Sequence, residues 1–369
     1  MFHIGTVESE MSKSKQLKQY LLDLNRSQSQ IYCSPDAEWS RIQYRIAHPT
    51  EIVACKCMDG RINLPVTTGV PMGIIQPYRT IGGQFDLGEK RFGSLIHDWV
   101  KYSVNKQRDC VVLVTYHWSK GELHRGCKGF DYDVDRARAF SLYLKKQFER
   151  VFGPGHAVVY PIQVGVETDL DALVFHGANG KDLLDLSTLD QHISEAKVSQ
   201  MVRDLYPDMK EQVLKDLMQV IMGNIQHIAE TRKANRPVEE IDHREQVLGL
   251  GRGFSWLHLP NKALLIGPYS YDLGDPIAVA GNLILKTLKG DKAMMGQGAV
   301  FLVSAPYRGD TATERLIAIE SADSLAKFGA KVIRDKVPEL IEHLNFLVGT
   351  LNEKTLLFTP NETGVNYLG

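Results

Sequence analysis

The sequence predicts an α/β fold in which helices flank a mainly parallel sheet, and three observations support this prediction. Two runs, "EIVACKC" (51–57) and "CVVLVTYH" (110–117), are apolar along most of their length, as parallel strands buried on both faces are. Stretches with helical periodicity lie between and after them, and alternating strands and helices favour parallel pairing. The last third repeats part of this pattern, which indicates either an internal duplication or a chance match between apolar strands.

The first 45 residues predict a small helical segment. Four large side chains have helical spacing, at Leu17, Tyr20, Leu21 and Leu24. In the following "SPDAEWSRIQYRI", Ser34 can cap a second helix and Pro35 can occupy its first position.

Residues 46–235 predict a first domain of strands and helices. "EIVACKC" ends in the turn signal "MDGR", and "CVVLVTYH" ends at His117. "HAVVYPIQVGVETDLDALVFHG" predicts a further strand with a hairpin-like return. Helices are predicted for "GSLIHDWVKYSV", "DVDRARAFSLYLKKQFERVFGPG" and "DMKEQVLKDLMQVIMGNIQHIAETRK", the second with a Gly-Pro stop and an apolar face of Ala137, Phe140, Leu144 and Val151.

The polar segment "KANRPVEEIDHRE" predicts a domain boundary near residue 236, so that residues 236–369 form a second domain. Within it, "KALLIGPYSYD" and "AVFLVSAPYRGD" resemble "EIVACKCMDG" and "VVLVTYHWSKGE" in pattern, and Pro306 then falls within one residue of the place of His117. No cysteine follows residue 127, so this second copy cannot hold a thiolate metal site.

Composition and cysteine usage narrow the function. Lys and Arg total 43 against 44 Asp and Glu, so the overall charge favours neither nucleic acid nor an anionic membrane as a partner. No signal-peptide pattern and no apolar run of transmembrane length is present, which predicts a cytoplasmic protein. The five cysteines predict free thiols, a metal site or a nucleophile rather than disulfides. Of these, Cys33, Cys55 and Cys110 are expected to be buried thiols.

The residues that carry chemistry follow the ends of two strands. "CMDGR" brings Cys57, Asp59 and Arg61 to a strand end, where open α/β sheets bind ligands, and His117 and Cys127 follow at the next strand. Two thiolates and an imidazole form a ligand set for catalytic zinc, Zn2+, whose fourth position holds water. Asp59, held by Arg61, can accept a hydrogen bond from that water, or Asp59 can itself complete the coordination.

These motifs resemble those of the β-class carbonic anhydrases, whose signature is Cys-x-Asp-x-Arg followed by a strand-end histidine and a cysteine. "YRTIGGQFD", with Arg79, Gly82 and Gly83, also resembles the region between the two metal-binding segments of that class. The segments "YHWSKGELHRGC", "VGVETDLDALVFH" and "GRGFSWLHLPNKALLIGPYSYDLGD" resemble more specifically the carboxysome shell carbonic anhydrases, a divergent branch. The resemblance runs through roughly residues 45 to 369.

The resemblance implies a fold and an activity. The fold is a β-carbonic-anhydrase-like domain followed by a degenerate copy of it without metal, and the activity is reversible hydration of carbon dioxide to bicarbonate by zinc-bound hydroxide. Cys57, His117 and Cys127 then bind zinc, Asp59 orients the hydroxide and helps to move its proton, and Arg61 holds Asp59. His124 and His176 are candidate proton carriers.

The resemblance gives two answers for the ligand histidine. The common β-class spacing is His-x-x-Cys, which His124 and Cys127 satisfy. The carboxysomal branch has a longer insertion between the two, and there the strand-end histidine binds, which favours His117 and leaves His124 as the alternative. "VETDLDALVFH" also contains Glu167, Asp169, Asp171 and His176. For these residues, a polar hairpin turn is a simpler interpretation than a hydrogen-bond network around the site.

The resemblance also implies substrates, an oligomeric state and a location, and it leaves two competing functions. The substrates are carbon dioxide and bicarbonate, and the chain is expected to form a homodimer or higher homo-oligomer. Carboxysomal members carry a long N-terminal extension, whereas about 45 residues precede the first strand here, which favours a cytoplasmic relative over one bound to a carboxysome shell or carboxylase. The competing functions are hydrolysis of carbonyl sulfide or carbon disulfide at the same site, and a zinc-stabilised scaffold without catalysis.

Overall fold

The chain folds into two β-sheets, each mostly parallel and flanked by helices, in a computed structural model that describes residues 13–153, 158–178, 180–361 and 367. The predicted α/β class is therefore confirmed. None of the described helices is long and apolar enough to cross a lipid bilayer.

The first sheet has six strands in the spatial order 2-1-3-4-5-6. The first four strands pair in parallel, and the last two are antiparallel. The strands are β1 (Glu51–Cys57), β2 (Ile75–Thr80), β3 (Cys110–Trp118), β4 (Val159–Glu167), β5 (Ala172–His176) and β6 (Leu183–Asp185).

Among the described residues, seven helices accompany the first sheet. They are α1 (Lys13–Tyr32), α2 (Pro35–Ala47), α3 (Leu64–Thr68), α4 (Lys90–Asn105), α5 (Val134–Phe152), α6 (Glu195–Leu205) and α7 (Glu211–Ala234). Helix α2 begins as predicted, because the Ser34 hydroxyl accepts a hydrogen bond from the Ala37 amide at 3.3 Å and Pro35 follows it. Short 3-10 turns occur at Ile81–Gly83, Leu123–Arg125, Lys128–Phe130, Leu186–Thr188, Phe254–Trp256 and Pro338–His343.

In the part of the chain that the structure describes, the second sheet has five strands and four helices accompany it. The strands are β7 (Val247–Gly251), β8 (Ala263–Ile266), β9 (Ala299–Tyr307), β10 (Leu344–Asn352) and β11 (Phe358–Pro360). The helices are α8 (Val238–Ile241), α9 (Gly274–Gly290), α10 (Lys292–Gln297) and α11 (Ala312–Lys336).

The two sheets share one topology. In each, the first strand lies between the second and the third, the fourth pairs in parallel with the third, and the fifth is antiparallel. Strands β3 and β9 are both nine residues long, so we align them from their first residues. Ile52, which faces Val111 in the first sheet, then corresponds to Val247, which faces Val300 in the second. Counting along β9 from this alignment, Pro306 takes the place of His117.

The sequence comparison is wrong for one strand. "KALLIGPYSYD" contains β8, which takes the place of β2 in the shared topology, whereas β7 takes the place of β1. The reason is that neighbouring buried parallel strands have the same apolar pattern, so pattern alone does not distinguish them. By the register, Arg252 then stands where Cys57 stands in the first sheet.

The turn after β1 packs directly on the second sheet. The Gly60 amide donates to the Ala263 carbonyl at 3.0 Å, and the Leu265 amide donates to the Met58 carbonyl at 2.8 Å. A Cβ atom at Gly60 would lie 2.5 Å from the Ala263 carbonyl oxygen, so only glycine fits here. The second sheet therefore fixes the position of the segment that carries Asp59 and Arg61.

The N-terminal helices also join the two halves. Leu21 of α1 is fully buried in the same apolar cluster as residues of the second sheet. The Asn25 side chain donates to the Leu356 carbonyl at 2.9 Å and accepts from the Phe358 amide at 2.7 Å. Helix α1 thus stabilises the far end of the chain.

Two predictions of burial are wrong. Val151 is 59% exposed, because the buried face of α5 ends one turn earlier at Phe148. Cys33 is exposed, since it lies in the turn between α1 and α2, whereas Cys55 and Cys110 are buried as expected. The Pro154 of the predicted Gly-Pro stop lies outside the described residues.

Candidate metal centre

Strand geometry brings three possible metal ligands together. Cys57 is the last residue of β1, His117 is the next-to-last residue of β3, and these neighbouring strands run parallel. Cys127 lies on the loop after β3, immediately before a 3-10 turn. The Sγ atoms of Cys57 and Cys127 are 4.0 Å apart, and the ligand atoms of all three residues lie within 4.8 Å of one another.

The donor set fits a metal ion. In tetrahedral zinc sites with Zn–S bonds of about 2.3 Å, two thiolate sulfurs are roughly 3.8 Å apart, close to the separation seen here. Both ring nitrogens of His117 are buried, and neither has a hydrogen-bond partner among the described residues. A buried imidazole without hydrogen-bond partners costs folding free energy unless a ligand binds one of its nitrogens. A bound metal ion would therefore account for the missing partner of His117.

The two thiols titrate as a pair. The contact with Cys127 lowers the pKa of Cys57, to which the nearby His117 also contributes. The contact with Cys57, together with burial, raises the pKa of Cys127. The pair therefore favours a deprotonated Cys57 beside a protonated Cys127. A bound cation would favour deprotonation of Cys127 as well.

A buried ion pair lies beside these ligands. Burial alone would raise the pKa of Asp59, but the charge and hydrogen bonds of Arg61 outweigh it and hold that pKa well below its usual range. Arg61 donates from Nε to both carboxylate oxygens at 3.1 Å and from Nη2 to Oδ2 at 2.6 Å. The Asp59 Oδ2 atom is 4.0 Å from Nδ1 of His117, so an ionised carboxylate borders the three ligands.

Comparison with known proteins identifies relatives of one kind. No protein-family model matches the chain. A carboxysome shell carbonic anhydrase from Prochlorococcus marinus subsp. pastoris is 26% identical over 238 residues, covering 56% of this chain and 46% of the relative. A protein of the same name from Hydrogenovibrio crunogenus is 24% identical over 314 residues, covering 72% of this chain and 57% of the relative.

The chain is related to the carboxysome shell carbonic anhydrases. A third relative of that name, from Prochlorococcus marinus strain MIT 9313, is 26% identical over 269 residues, covering 63% of this chain and 50% of the relative. The chain spans about half the length of the curated relatives it matches. The predicted family resemblance is therefore confirmed.

In this relative of the carboxysome shell carbonic anhydrases, the two candidate histidines lie in different surroundings. His117 is buried beside both thiols, whereas the side chain of His124 is 66% exposed and pairs with Glu122 at 3.0 Å. The structure therefore brings His117, and not His124, into the group with Cys57 and Cys127.

Within the described ranges, the residues of the hairpin between β4 and β5 make no hydrogen bond to the candidate ligands. Glu167 accepts hydrogen bonds from the amides of Lys120, Asp169 and Leu170, and so fixes the turn between β4 and β5. Asp171 pairs with Arg236 at 2.9 Å. His176 is buried against the Tyr116 hydroxyl at 2.8 Å, and burial lowers the pKa of His176 to about 4, which argues against a role as proton carrier near neutral pH.

Two groups near the site were missed by the sequence analysis. Lys56 lies in β1 beside Cys57, fully buried, with no hydrogen-bond partner for its ammonium group among the described residues, and burial lowers its pKa. His243 and Glu245 belong to the "DHRE" part of the segment interpreted as a polar connection, yet His243 lies against Arg61. Two features of the sequence could have identified these groups: Lys56 lies inside an apolar strand, and His243 lies in a short segment with Asp242 and Glu245.

Proposed function

We propose that the chain is a zinc enzyme that interconverts carbon dioxide and bicarbonate. One observation carries the proposal: the buried Cys57, His117 and Cys127 group lies directly beside a buried Asp59–Arg61 pair. The names of the relatives support the same activity.

Cys57, His117 and Cys127 would hold the metal. Two thiolates and one neutral imidazole leave one position of a tetrahedral zinc ion for water, as catalytic zinc sites do. Zinc in such a site lowers the pKa of its water, which supplies a nucleophile for carbon dioxide near neutral pH. His117 can serve as ligand because neither of its ring nitrogens is engaged by another described residue.

Asp59 would act as acceptor and orienting group. Because Arg61 keeps its carboxylate ionised, Asp59 can accept a hydrogen bond at neutral pH in addition to those from Arg61. An acceptor 4.0 Å from the ring of His117 can orient a water molecule and take part in moving its proton.

Arg61 would keep Asp59 off the metal. Its guanidinium bonds both oxygens of the carboxylate, and its backbone amide donates to Asp59 Oδ1 at 2.9 Å. A carboxylate held by three donor groups is a poor candidate for a fixed fourth ligand. This arrangement favours the catalytic proposal over a zinc-stabilised scaffold.

Stopped-flow carbon dioxide hydration on protein of known zinc content tests the proposal. We expect one zinc per chain and hydration that inhibitory anions suppress, with Cys57→Ser protein as a control that loses both. Zinc without hydration would contradict the proposal, and hydrolysis of carbonyl sulfide by the same preparation would then identify the alternative substrate.

The remaining assignments are also proposals. We place the metal-binding domain at residues 46–235 and the metal-free copy at 236–369, and we expect a homodimer or higher homo-oligomer in the cytoplasm. Light scattering measures the oligomer. Co-sedimentation of the chain with carboxysome shells, in a cell that makes them, would overturn the cytoplasmic assignment.

A further inference from the structure

A short segment of the metal-free half lies against the active-site arginine. Residues 241–245 comprise the last residue of α8 and most of its connection to β7, which is the first strand of the second sheet. Arg61 donates from Nη1 to the Ile241 carbonyl at 2.9 Å, and its Nη2 lies 3.3 Å from Nε2 of His243. The segment therefore contacts the guanidinium at Nη1 and at Nη2, and Nη2 also donates to Asp59.

The partners of His243 determine which ring nitrogen carries the proton. Nδ1 makes a close contact with the Glu245 carboxylate, so Nδ1 donates in the neutral ring. Nε2 then has a lone pair that faces Nη2 of Arg61, where it can share one of the two hydrogens that Nη2 also directs to Asp59 Oδ2 and to the Arg125 carbonyl. Glu245 is itself held, since it is buried and its Oε2 accepts from the Thr287 hydroxyl at 3.3 Å.

The same segment also holds the loop that carries Cys127. Asp242 pairs with Arg125 at 2.5 Å, and the Arg125 carbonyl accepts from Arg61 Nη2 at 2.5 Å. The ligand loop, the arginine and the segment are thus joined in one network. A substitution in this segment can therefore move Arg61 and, with it, the Asp59 carboxylate, without a direct contact between the segment and substrate or metal.

We propose that His243, supported by Glu245, is a positioning residue that fixes the guanidinium of Arg61 and thereby the carboxylate of Asp59. This inference rests on the proposed function and deepens it, because it assigns to the half without metal ligands a direct part in orienting the site. Groups that orient catalytic side chains in this way typically change activity about 10- to 100-fold when they are removed.

The contact between His243 and Arg61 depends on the charge of the His243 imidazole ring. Burial and Arg61 lower the pKa of His243, whereas Glu245 raises it by more, so the pKa lies above its usual value. Once protonated, Nε2 would carry a hydrogen that faces the N–H groups of Arg61, and the contact would become repulsive. The charged groups that act on the ring most directly are Asp59, Arg61 and Glu245. The other titratable or charged groups that line the same cavity are Glu122, His124, Arg125, Tyr132, Glu239, Asp242, Arg244, Lys286 and Asp291.

Four variants separate positioning from general stability. His243→Ala removes the ring, His243→Gln keeps an acceptor oxygen at the place of Nε2, and His243→Asn keeps a polar group at the place of Nδ1. Arg244→Ala is the matched control, since Arg244 lines the same cavity but points to Asp291 at 3.3 Å. Each protein is brought to one zinc per chain, and kcat and KM for carbon dioxide hydration are measured as a function of pH.

We expect His243→Ala to lower kcat at least about tenfold with KM little changed. His243→Gln should keep most of the wild-type kcat, whereas His243→Asn should lose about as much as His243→Ala. Arg244→Ala should have the wild-type kcat. Because Gln does not titrate, the ratio of its kcat to that of wild type should rise as the pH falls. An alanine variant with wild-type kcat, or equal losses in the Ala, Gln and Asn variants, would overturn the inference.

A second measurement does not depend on catalysis. Nitrogen-15 NMR of the imidazoles in the wild-type protein, with His243→Gln used for assignment, reports which ring nitrogen is protonated. The inference requires the proton of neutral His243 on Nδ1, and a proton on Nε2 contradicts it. If zinc-loaded wild type hydrates no carbon dioxide, the proposed function fails, and the NMR result still decides whether His243 can accept from Arg61.

Discussion

Replacing Arg61 by Met should destabilise the protein strongly, because it leaves a buried carboxylate without its counter-charge. The side chains of Asp59 and Arg61 are 7% and 3% exposed, so water cannot replace the lost partner. Removing one member of such a buried pair typically costs about 3–5 kcal/mol of unfolding free energy. The carbonyls of Ile241 and Arg125 would lose a donor as well, which argues for the upper part of this range.

The loss should depend on pH with a definite sign. In the wild type, Arg61 holds the pKa of Asp59 below its unfolded value of about 3.9, so this stabilisation is present above that pH and is lost as pH falls through the folded pKa. Without Arg61, burial raises the pKa of Asp59 above the unfolded value. The penalty is then full at neutral pH and shrinks as the pH falls through the raised pKa.

Urea unfolding of zinc-matched proteins, followed by tryptophan fluorescence and circular dichroism, measures the loss at neutral and mildly acidic pH. The double variant Asp59→Asn with Arg61→Met is the control, since it removes both charges and should be less destabilised than Arg61→Met alone. A loss under about 1 kcal/mol in Arg61→Met, or a double variant destabilised by the full sum of the two single losses, would refute the reasoning.

Three further predictions concern the ligands, the carboxylate and the turn. His117→Ala should lose zinc, measured by plasma emission spectrometry, whereas His124→Ala should keep one zinc per chain and wild-type hydration; the reverse pattern would contradict the assignment. Asp59→Ala should keep zinc and lose roughly 100-fold or more in kcat, and wild-type turnover there would exclude its role. Gly60→Ala, whose Cβ would lie 2.5 Å from a backbone oxygen, should lose about 1–3 kcal/mol in urea unfolding, whereas Gly290→Ala, with nothing within 4 Å, should lose little.

Short stretches of sequence were sufficient to predict the main strands and helices and the residues that surround the candidate metal centre. A buried parallel strand is apolar throughout, so β1 and β3 were predicted with their carboxyl ends at Cys57 and His117. Parallel strand ends meet at one edge, and this alone brings the two ligands together. The Ser34 cap was equally local, since it depends on residues within one helical turn.

Contacts between the two halves could not be predicted in this way. The "DHRE" segment is polar and follows a proline, which is also typical of a connection between domains, and nothing local indicates that His243 faces Arg61. The exchange of β8 for β7 in the repeat has a different cause, because both are short, fully buried strands and only their pairing in the sheet shows which one corresponds to β1. The exposure of Cys33 depends on where α1 ends, which periodicity does not fix.

X-ray absorption at the zinc edge, on zinc-loaded protein with and without an inhibitory anion, tests most directly the claim of an open catalytic zinc site. The account predicts two sulfur ligands at about 2.3 Å, one imidazole nitrogen at about 2.0–2.1 Å, and a fourth light ligand that the anion replaces. A fourth ligand that the anion leaves unchanged would mean that a protein group, with Asp59 the nearest candidate, closes the site. That result would contradict the account.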